Sequence, residues 1–377
     1  MHRHRLLSRT PQHSLRRIQG FSLIELMVGM TIGLLTVLII AQVALVYEGQ
    51  KRTTTSGSDA QVSGALALQT LQREIQTSGY GLTSGGTVGC TEIHGKRNGV
   101  DYLQPMAPVI ITDGANGQPD SLRVLSSSGA SISLPIRVFG EHRRDDTSFR
   151  IDQNTGLGTR QGDLMLAVPT KEIGTTQFAP SWCTLFTVSK DPTNNTIEHK
   201  TDAAWPWNQD PTTTAFPGNV DADISYAAGS HLIDLGVLVD HLYDIRDAAN
   251  GSAARSLRLQ TFDSTTGNTT ATDLFANIVN LQAVYGRDTN ADLQADVWTA
   301  TPPANAAEWA QVIAIRIALA ARSDQPEKDI VTTLAPTWHP DGITPTDLRV
   351  DNTPDWQHFR YKIFEVVVPL RNMLWQS

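Results

Sequence analysis

The stretch GFSLIELMVGMTIGLLTVLIIAQVALVY, residues 20–47, decides how this 377-residue chain is organised. From Leu26 to Val46 it has 21 consecutive residues without a charge, which is enough for one α-helix to cross the hydrocarbon core of a membrane. Gly29 and Gly33 form a G-x-x-x-G spacing that lets helices pack closely in lipid, although glycine is also common in membrane helices without that role. The stretch therefore predicts a membrane-spanning helix.

The residues before this helix, 1–20, form a basic leader. They contain five arginines and no acidic residue, a local charge of +5, whereas the whole chain has a formal charge of −8. By the positive-inside rule, the N-terminus stays in the cytoplasm and the following residues are exported. Removing the leader leaves a charge of −13, which disfavours direct binding to nucleic acid phosphates.

One carboxylate interrupts the apolar pattern near the start of the helix. Glu25 is costly there when it is ionised, unless a positive group neutralises it. One interpretation places its side chain among lipid headgroups at the membrane edge. In the other, cleavage after Gly20 gives Phe21 a free α-amine, and the amine of a neighbouring subunit becomes the counter-ion of Glu25.

The motif G-F-S-L-I-E at residues 20–25 resembles the class III signal of type IV prepilins and of type II secretion pseudopilins. The resemblance implies that a prepilin peptidase cleaves between Gly20 and Phe21 and that Phe21 is then N-methylated. It also implies that Glu25 guides the docking of subunits in a filament.

Beyond residue 47 the predicted helix becomes amphipathic. Over residues 48–78 apolar side chains recur near helical spacing, and Gly79 predicts the end of the helix. The sequence TTTSGS at 53–58 predicts a soft joint within it. The predicted apolar face consists of Val62, Ala65, Leu66, Leu68, Leu71 and Ile75.

The following part of the chain has the pattern of short strands between turns rich in Gly, Pro, Asn and Asp. Residues 191–220 predict a long exposed loop and a possible subdomain break. Residues 274–286 predict a helix that continues as a strand, because apolar residues are spaced there by four, three and four. Strands are predicted at 121–128, 131–139, 163–169, 183–190, 256–262, 312–322 and 361–372, with one or two more within 232–245.

Two further segments make the family resemblance more specific. The sequence LQREIQTSGYGL at 71–82 with the later Gly89-Cys90, and the C-terminal order YGRDT, IAIRI and VVVPLRN, resemble PilW-type minor pilins. The resemblance implies an α+β fold, in which a long N-terminal helix packs on a β-rich pilin-like domain. The expected parts are a removed leader at 1–20, a membrane and assembly half of the helix at 21–47, its amphipathic half at 48–78, and an exposed domain at 79–377.

Two other sets of residues are candidate sites. Cys90 and Cys183 predict one disulfide in an exported chain, and buried thiols in a cytosolic one. Oxygen-bearing side chains at alternate positions of 288–296 suggest a Ca²⁺ loop, formed by Asp288, Asn290, Asp292 and Asp296. However, Leu293 replaces the usual glycine and Thr299 the usual glutamate, which favours a plain polar loop. Zinc, nucleotide and hydrolase motifs are missing from the sequence, so no other cofactor and no catalysis is predicted.

The whole pattern predicts an assembly protein. The resemblance implies a minor pilin that takes part in priming or capping a type IV pilus and supports twitching motility or adhesion. Its expected partners are other minor and major pilins, prepilin peptidase and the inner-membrane assembly machinery. It would cross the inner membrane once, with its C-terminal domain in the periplasm, and later lie in the pilus. Two alternatives stay open: a minor pseudopilin of a type II secretion system, and a membrane-anchored periplasmic enzyme or binding protein.

Overall fold

The computed structural model describes most of the chain from Gly20 onward. Residues 1–19 of the predicted leader therefore lie outside the described residues, as do 194 and 209–220 of the predicted loop and 131–134 of one predicted strand. The described residues are 20–82, 90, 92–97, 100–102, 105–128, 135–151, 158–169, 172–173, 176–177, 182–193, 195–208, 224–247, 255–341, 346–351 and 355–374.

One long helix, α1, spans Leu23–Thr77. The chain divides into two units, residues 1–54 and 55–377, so that α1 begins in the first unit and ends in the second. The helix continues through residues 53–58, where the sequence predicted a soft joint. It ends before Gly79, whose φ of 74° is a left-handed conformation that glycine adopts without strain.

Strands are the main regular structure of the second unit. In chain order they are β1 Glu92–His94, β2 Lys96–Arg97, β3 Val100–Asp101, β4 Val109–Thr112, β5 Ser121–Ser127, β6 Ile136–Arg137, β7 His142–Arg143, β8 Ser148–Arg150, β9 Leu164–Val168, β10 Glu172–Ile173, β11 Thr176–Gln177, β12 Trp182–Thr187 and β13 Lys190–Thr193. They continue with β14 Thr196–Glu198, β15 Ile224–Tyr226, β16 His231–Gly236, β17 Leu238–Asp247, β18 Arg255–Asp263, β19 Thr269–Ala276, β20 Ile278–Arg287, β21 Val297–Thr299, β22 Val312–Arg322, β23 Thr337–Trp338, β24 Thr346–Asp347 and β25 Tyr361–Pro369. The short helices are α2 Ala306–Ala310 and α3 Arg371–Leu374, with single 3₁₀ turns at Ala115–Gly117 and Trp356–His358.

Fourteen of the described strands form the three larger sheets. Sheet A has the order β19-β18-β17-β5-β4, sheet B the order β21-β20-β22-β25, and sheet C the order β1-β12-β9-β16-β6. Among the described strand pairs, β1 and β12 run parallel and the others antiparallel. The predicted α+β class, with a long helix and a β-rich domain, is thus confirmed.

Three apolar clusters fill the described part of the second unit. The largest lies between α1 and the inner faces of the three sheets. Strand β9 separates two clusters, because Leu166 belongs to the largest one while Met165 belongs to a second one on the opposite face of sheet C. In the same way, Ile317 and Ala318 on β22 face different clusters. Sheets buried on both faces lose the alternation of apolar and polar residues.

This two-sided burial explains where the strand predictions succeeded and where they failed. The predictions at 121–128, 163–169, 256–262 and 312–322 are confirmed by β5, β9, β18 and β22. The segment 232–245 is two strands, β16 and β17. The predicted helix at the start of 274–286 is wrong, since β19 ends at Ala276, Asn277 adopts a positive φ of 63°, and β20 follows.

Three other predictions were partly correct. Strand 183–190 is split, because β12 ends at Thr187 and β13 begins at Lys190. The predicted loop at 191–220 begins as a hairpin of β13 and β14. Strand 361–372 ends at Pro369, where the short helix α3 follows.

The buried face of α1 also differs from the predicted one. Leu71 and Ile75 are fully buried, as predicted, but Val62 is 56% exposed and Leu66 is 47% exposed. Toward the N-terminus of α1, the buried side instead continues through the small residues Ala67, Gly64 and Ala60. Small residues let the helix approach the sheets closely, so size rather than hydrophobicity selected the buried face.

Candidate functional site

The first half of α1 is an apolar surface within its own unit. Every large apolar side chain from Phe21 to Tyr47 is exposed. The segment Leu23–Glu48 has a mean hydropathy of 2.4 over its most apolar window and is long enough to cross a membrane. Burying one Leu, Ile or Phe side chain contributes about 1.5–3 kcal/mol. This surface therefore requires lipid or other helices around it.

The predicted cleavage point lies immediately before the helix. Gly20 and Phe21 are non-helical, and the hydroxyl oxygen of Ser22 accepts a hydrogen bond from the backbone N–H of Glu25 at 3.2 Å. Ser22 is thus the N-cap, with Glu25 in the first turn. Acidic residues are favourable in a first turn, because they complement the partial positive charge of the helix N-terminus.

The predicted G-x-x-x-G pair lies on the open surface of this half. A methyl group added to either Gly29 or Gly33 would meet no atom within 4 Å. The spacing therefore leaves room for a helix from another subunit. Close helix packing at these two glycines stays a prediction.

The second half of α1 is held tightly by the β-rich unit. A Cβ atom added to Gly64 would lie 2.2 Å from Cε2 of Phe364 on β25, far inside van der Waals contact. Only glycine therefore allows the aromatic ring to lie against the helix backbone. The ring in turn packs against the largest apolar cluster.

Polar contacts fix the last turns of the helix. The Glu74 carboxylate lies 3.1 Å from Nδ1 of His241 on β17. Burial, followed by the charge of Glu74, raises the pKa of Tyr243, so its hydroxyl stays protonated as a hydrogen-bond donor. The amide of Asn372 donates to the carbonyl of Ser78 at 2.7 Å, which satisfies a free carbonyl at the helix end.

The two cysteines are joined. Cys90 and Cys183 form a disulfide with a Cα–Cα distance of 5.9 Å, and both are buried. Cys183 lies on β12, whose parallel neighbour β1 begins two residues after Cys90. The bond therefore fastens the start of the domain, just after α1, to sheet C.

The predicted Ca²⁺ loop at 288–296 is organised by its own hydrogen bonds. Asp288 accepts backbone N–H groups from Ala291, Asp292 and Leu293 at 2.7–3.2 Å. Burial acts against its charged form, but these donors outweigh it and lower the pKa of Asp288. Asp296 accepts from the Thr289 backbone and hydroxyl instead. Within the described residues, no three His, Cys, Asp or Glu side chains are placed to hold a metal ion.

Comparison with known proteins identifies both ends of the chain. A family model described as Prokaryotic N-terminal methylation motif matches residues 15–41, which include the predicted cleavage point. A second model, described as Type IV Pilus-assembly protein W, matches residues 242–372, which include Glu74's partner Tyr243 and Gly64's partner Phe364. The two matches support a prepilin-like protein of the PilW type. No curated protein and no solved structure matches it.

The sequence predicted the N-terminal motif, but sequence reasoning missed the residues that attach the helix to the domain. Gly64 has no sequence signal of its own, since its meaning depends on Phe364, 300 positions later. The contact of Asn372 with the end of α1 is equally distant. The regular spacing of Ala60, Gly64, Ala67, Leu71 and Ile75 was the available signal, and it is visible when small residues are counted as buried.

Proposed function

We propose that this PilW-type protein is a minor pilin that enters a type IV pilus through the first half of α1. One observation carries the proposal: a single helix follows the methylation motif with an exposed apolar half and continues into a half buried against the PilW-matching strands. The first half thus presents a surface for other subunits. The second half joins that surface to a large folded unit.

The exposed half suits two environments in turn. In the membrane its apolar side chains are covered by lipid, and in a filament by the corresponding helices of other subunits. Since lipid tails are as apolar as leucine, the transfer is driven by packing and polar contacts rather than by burial alone. Gly29 and Gly33 would allow close packing, and Glu25 would supply the polar contact.

We assign to Glu25 the α-amine of Phe21 on a neighbouring subunit as its partner. Cleavage after Gly20 creates that amine, and N-methylation keeps it protonated. An unpaired carboxylate within a membrane costs a few kcal/mol. Pairing removes that cost only in the assembled state, and the contact therefore favours assembly over the free subunit in the membrane. Prepilin peptidase, other pilins and the inner-membrane assembly machinery are the partners this scheme requires.

The proposed topology follows from the charge of the leader. The basic residues would stay in the cytoplasm, α1 would cross the inner membrane, and the β-rich unit would lie in the periplasm and later in the pilus. The disulfide between Cys90 and Cys183 is consistent with an oxidising compartment. A role in priming or at the tip, and support of twitching motility or adhesion, belong to the same proposal.

The first test is mass spectrometry of the mature N-terminus from cells that contain prepilin peptidase. We expect a chain that begins with N-methyl-Phe21. Two controls are a Gly20→Val variant and the unchanged chain in a strain without the peptidase. In both, the chain should keep its leader. An intact leader in peptidase-containing cells would contradict the proposal.

The second test separates cleavage from assembly. Glu25→Ala should be cleaved normally but should appear in sheared pili at a much lower level, because the counter-ion contact is lost. Glu48→Ala, an exposed acid at the other end of the candidate span, is the matched control and should be incorporated normally. Equal incorporation of both variants would remove the docking role of Glu25.

The match to a pilus-assembly family favours this proposal over the secretion pseudopilin and over the periplasmic enzyme or binding protein. Deletion of the gene should therefore reduce surface pili and leave type II secretion intact. Loss of secretion with normal piliation would instead support the pseudopilin.

A further inference from the structure

A cavity of about 370 Å³ opens on the outer face of sheet A, away from α1. Strand register places Arg123, Leu242 and Gln260 side by side on β5, β17 and β18. Their neighbours Leu122 and Tyr243 belong to the core on the opposite face. The cavity volume lies near the lower limit of the roughly 300–1,000 Å³ typical of ligand pockets, so the cavity suits a small ligand.

Its charges are neutralised in pairs. Asp240 is 1% exposed, contacts Nη1 of Arg123 at 2.5 Å and accepts a hydrogen bond from the Tyr102 hydroxyl at 3.0 Å. At the rim, Asp101 lies 3.4 Å from Nζ of Lys96. A charged ligand would have to compete with these pairs and would leave one buried charge uncompensated. The cavity therefore favours a neutral ligand.

Aromatic rings form one wall. The ring centroids of Tyr102 and Phe262 lie 6.1 Å apart, and Trp207 supports Tyr102 edge-on at 6.0 Å. Trp207 is itself anchored, because its indole N–H donates to the carbonyl of Ser264 at 2.8 Å. The wall is thus a preorganised apolar surface for a flat, apolar ligand face.

Planar polar groups lie beside this wall. In the described contacts, Arg123 binds Asp240 through Nη1, and Gln260 uses Nε2 to bind Asp244. The guanidinium edge of Arg123 and the amide oxygen of Gln260 thus provide further donors and an acceptor, and Thr269 adds a hydroxyl. The free edge of the Arg123 guanidinium can donate to two adjacent ligand oxygens at once.

We propose that this cavity binds a neutral sugar residue. A pyranose ring combines an apolar C–H face, which would pack on Tyr102 and Phe262, with adjacent hydroxyls for Arg123, Gln260 and Thr269. The cavity size suits one or two rings rather than a long polymer. This binding activity goes beyond assembly and does not depend on it.

The test uses the full chain in detergent micelles without sugar headgroups. Saturation-transfer NMR compares three neutral probes, glucose, galactose and N-acetylglucosamine, with cationic glucosamine and anionic N-acetylneuraminic acid. We expect transfer to at least one neutral sugar and at least about tenfold weaker binding of both charged sugars. Absence of transfer to all three neutral sugars, or equal binding of a charged one, would overturn the proposal.

Matched variants locate the binding. Gln260→Met and Thr269→Val should each weaken binding about three- to tenfold, the effect of losing one neutral hydrogen bond. Thr270→Val is the control, because residue 270 is the next one along β19, exposed, and its side chain lies on the other side of the strand. Unfolding curves verify that all three variants fold. Unchanged affinity in both test variants would place any sugar elsewhere.

Discussion

Replacing Gly64 by alanine tests how α1 is attached to the β-rich unit. The added Cβ would lie 2.2, 2.5 and 2.9 Å from three ring carbons of Phe364. A contact of this kind cannot be tolerated, so the ring or the helix has to move. Gly57, seven residues earlier in the same helix, is the matched control, because a Cβ there meets no atom within 4 Å.

The expected magnitudes follow from two opposing effects. Alanine is more favourable than glycine inside a helix by about 1 kcal/mol, and both variants gain this. Overpacking a filled site costs about 1–3 kcal/mol, and a ring forced away from its rotamer costs about 0.5–1.5 kcal/mol. Gly57→Ala should therefore raise the free energy of unfolding by about 0.5–1 kcal/mol, and Gly64→Ala should lower it by about 1–2 kcal/mol.

Guanidinium unfolding of the full chain in micelles, followed by tryptophan fluorescence, measures both changes. Phe364→Leu in the Gly64→Ala background should recover part of the loss, and the double-mutant cycle should show a coupling energy above about 0.5 kcal/mol. If Gly64→Ala were as stable as Gly57→Ala, the close contact would not exist as described. The packing argument for the second half of α1 would then be wrong.

Three further predictions concern the β-rich unit. Burial raises the pKa of Asp120 to about 7, despite backbone donors that lower it. The free energy of unfolding should therefore fall as pH rises from about 4 to 7, and Asp120→Asn should make this fall less steep in unfolding curves. Burial lowers the pKa of His142 to about 3, and it also lowers the pKa of His199. The stability that comes from keeping both rings neutral is lost as pH falls below about 6.5. Hydrogen-exchange protection around the two histidines should therefore drop between pH 7 and 5 by more than it does in sheet A. Cys90 and Cys183 close a loop of 93 residues, so reduction should cost about 4–5 kcal/mol of unfolding free energy, and a double serine variant should be insensitive to reductant.

The sequence predicted elements with a clear local period or composition. The apolar run from Leu26 to Val46 needs only its length and lack of charge to indicate a membrane helix, and Gly79 was sufficient to end α1. The prediction of a helix failed between Leu274 and Tyr285, where the strand β20 is buried on both of its faces. A strand buried on both faces loses the alternation of apolar and polar residues, so its residue spacing can fit a helix as well as a strand.

The sequence by itself determined the assembly end of this protein. The order of basic leader, Gly20-Phe21, Glu25 and an apolar helix is local chemistry, and each part acts through its neighbours in the chain. Tertiary structure alone decided that position 64 needs glycine, since a Cβ there would meet the ring of Phe364. It also decided that Tyr102, Arg123 and Asp240 meet in one cavity. Such contacts join residues more than a hundred positions apart, and no local period encodes them.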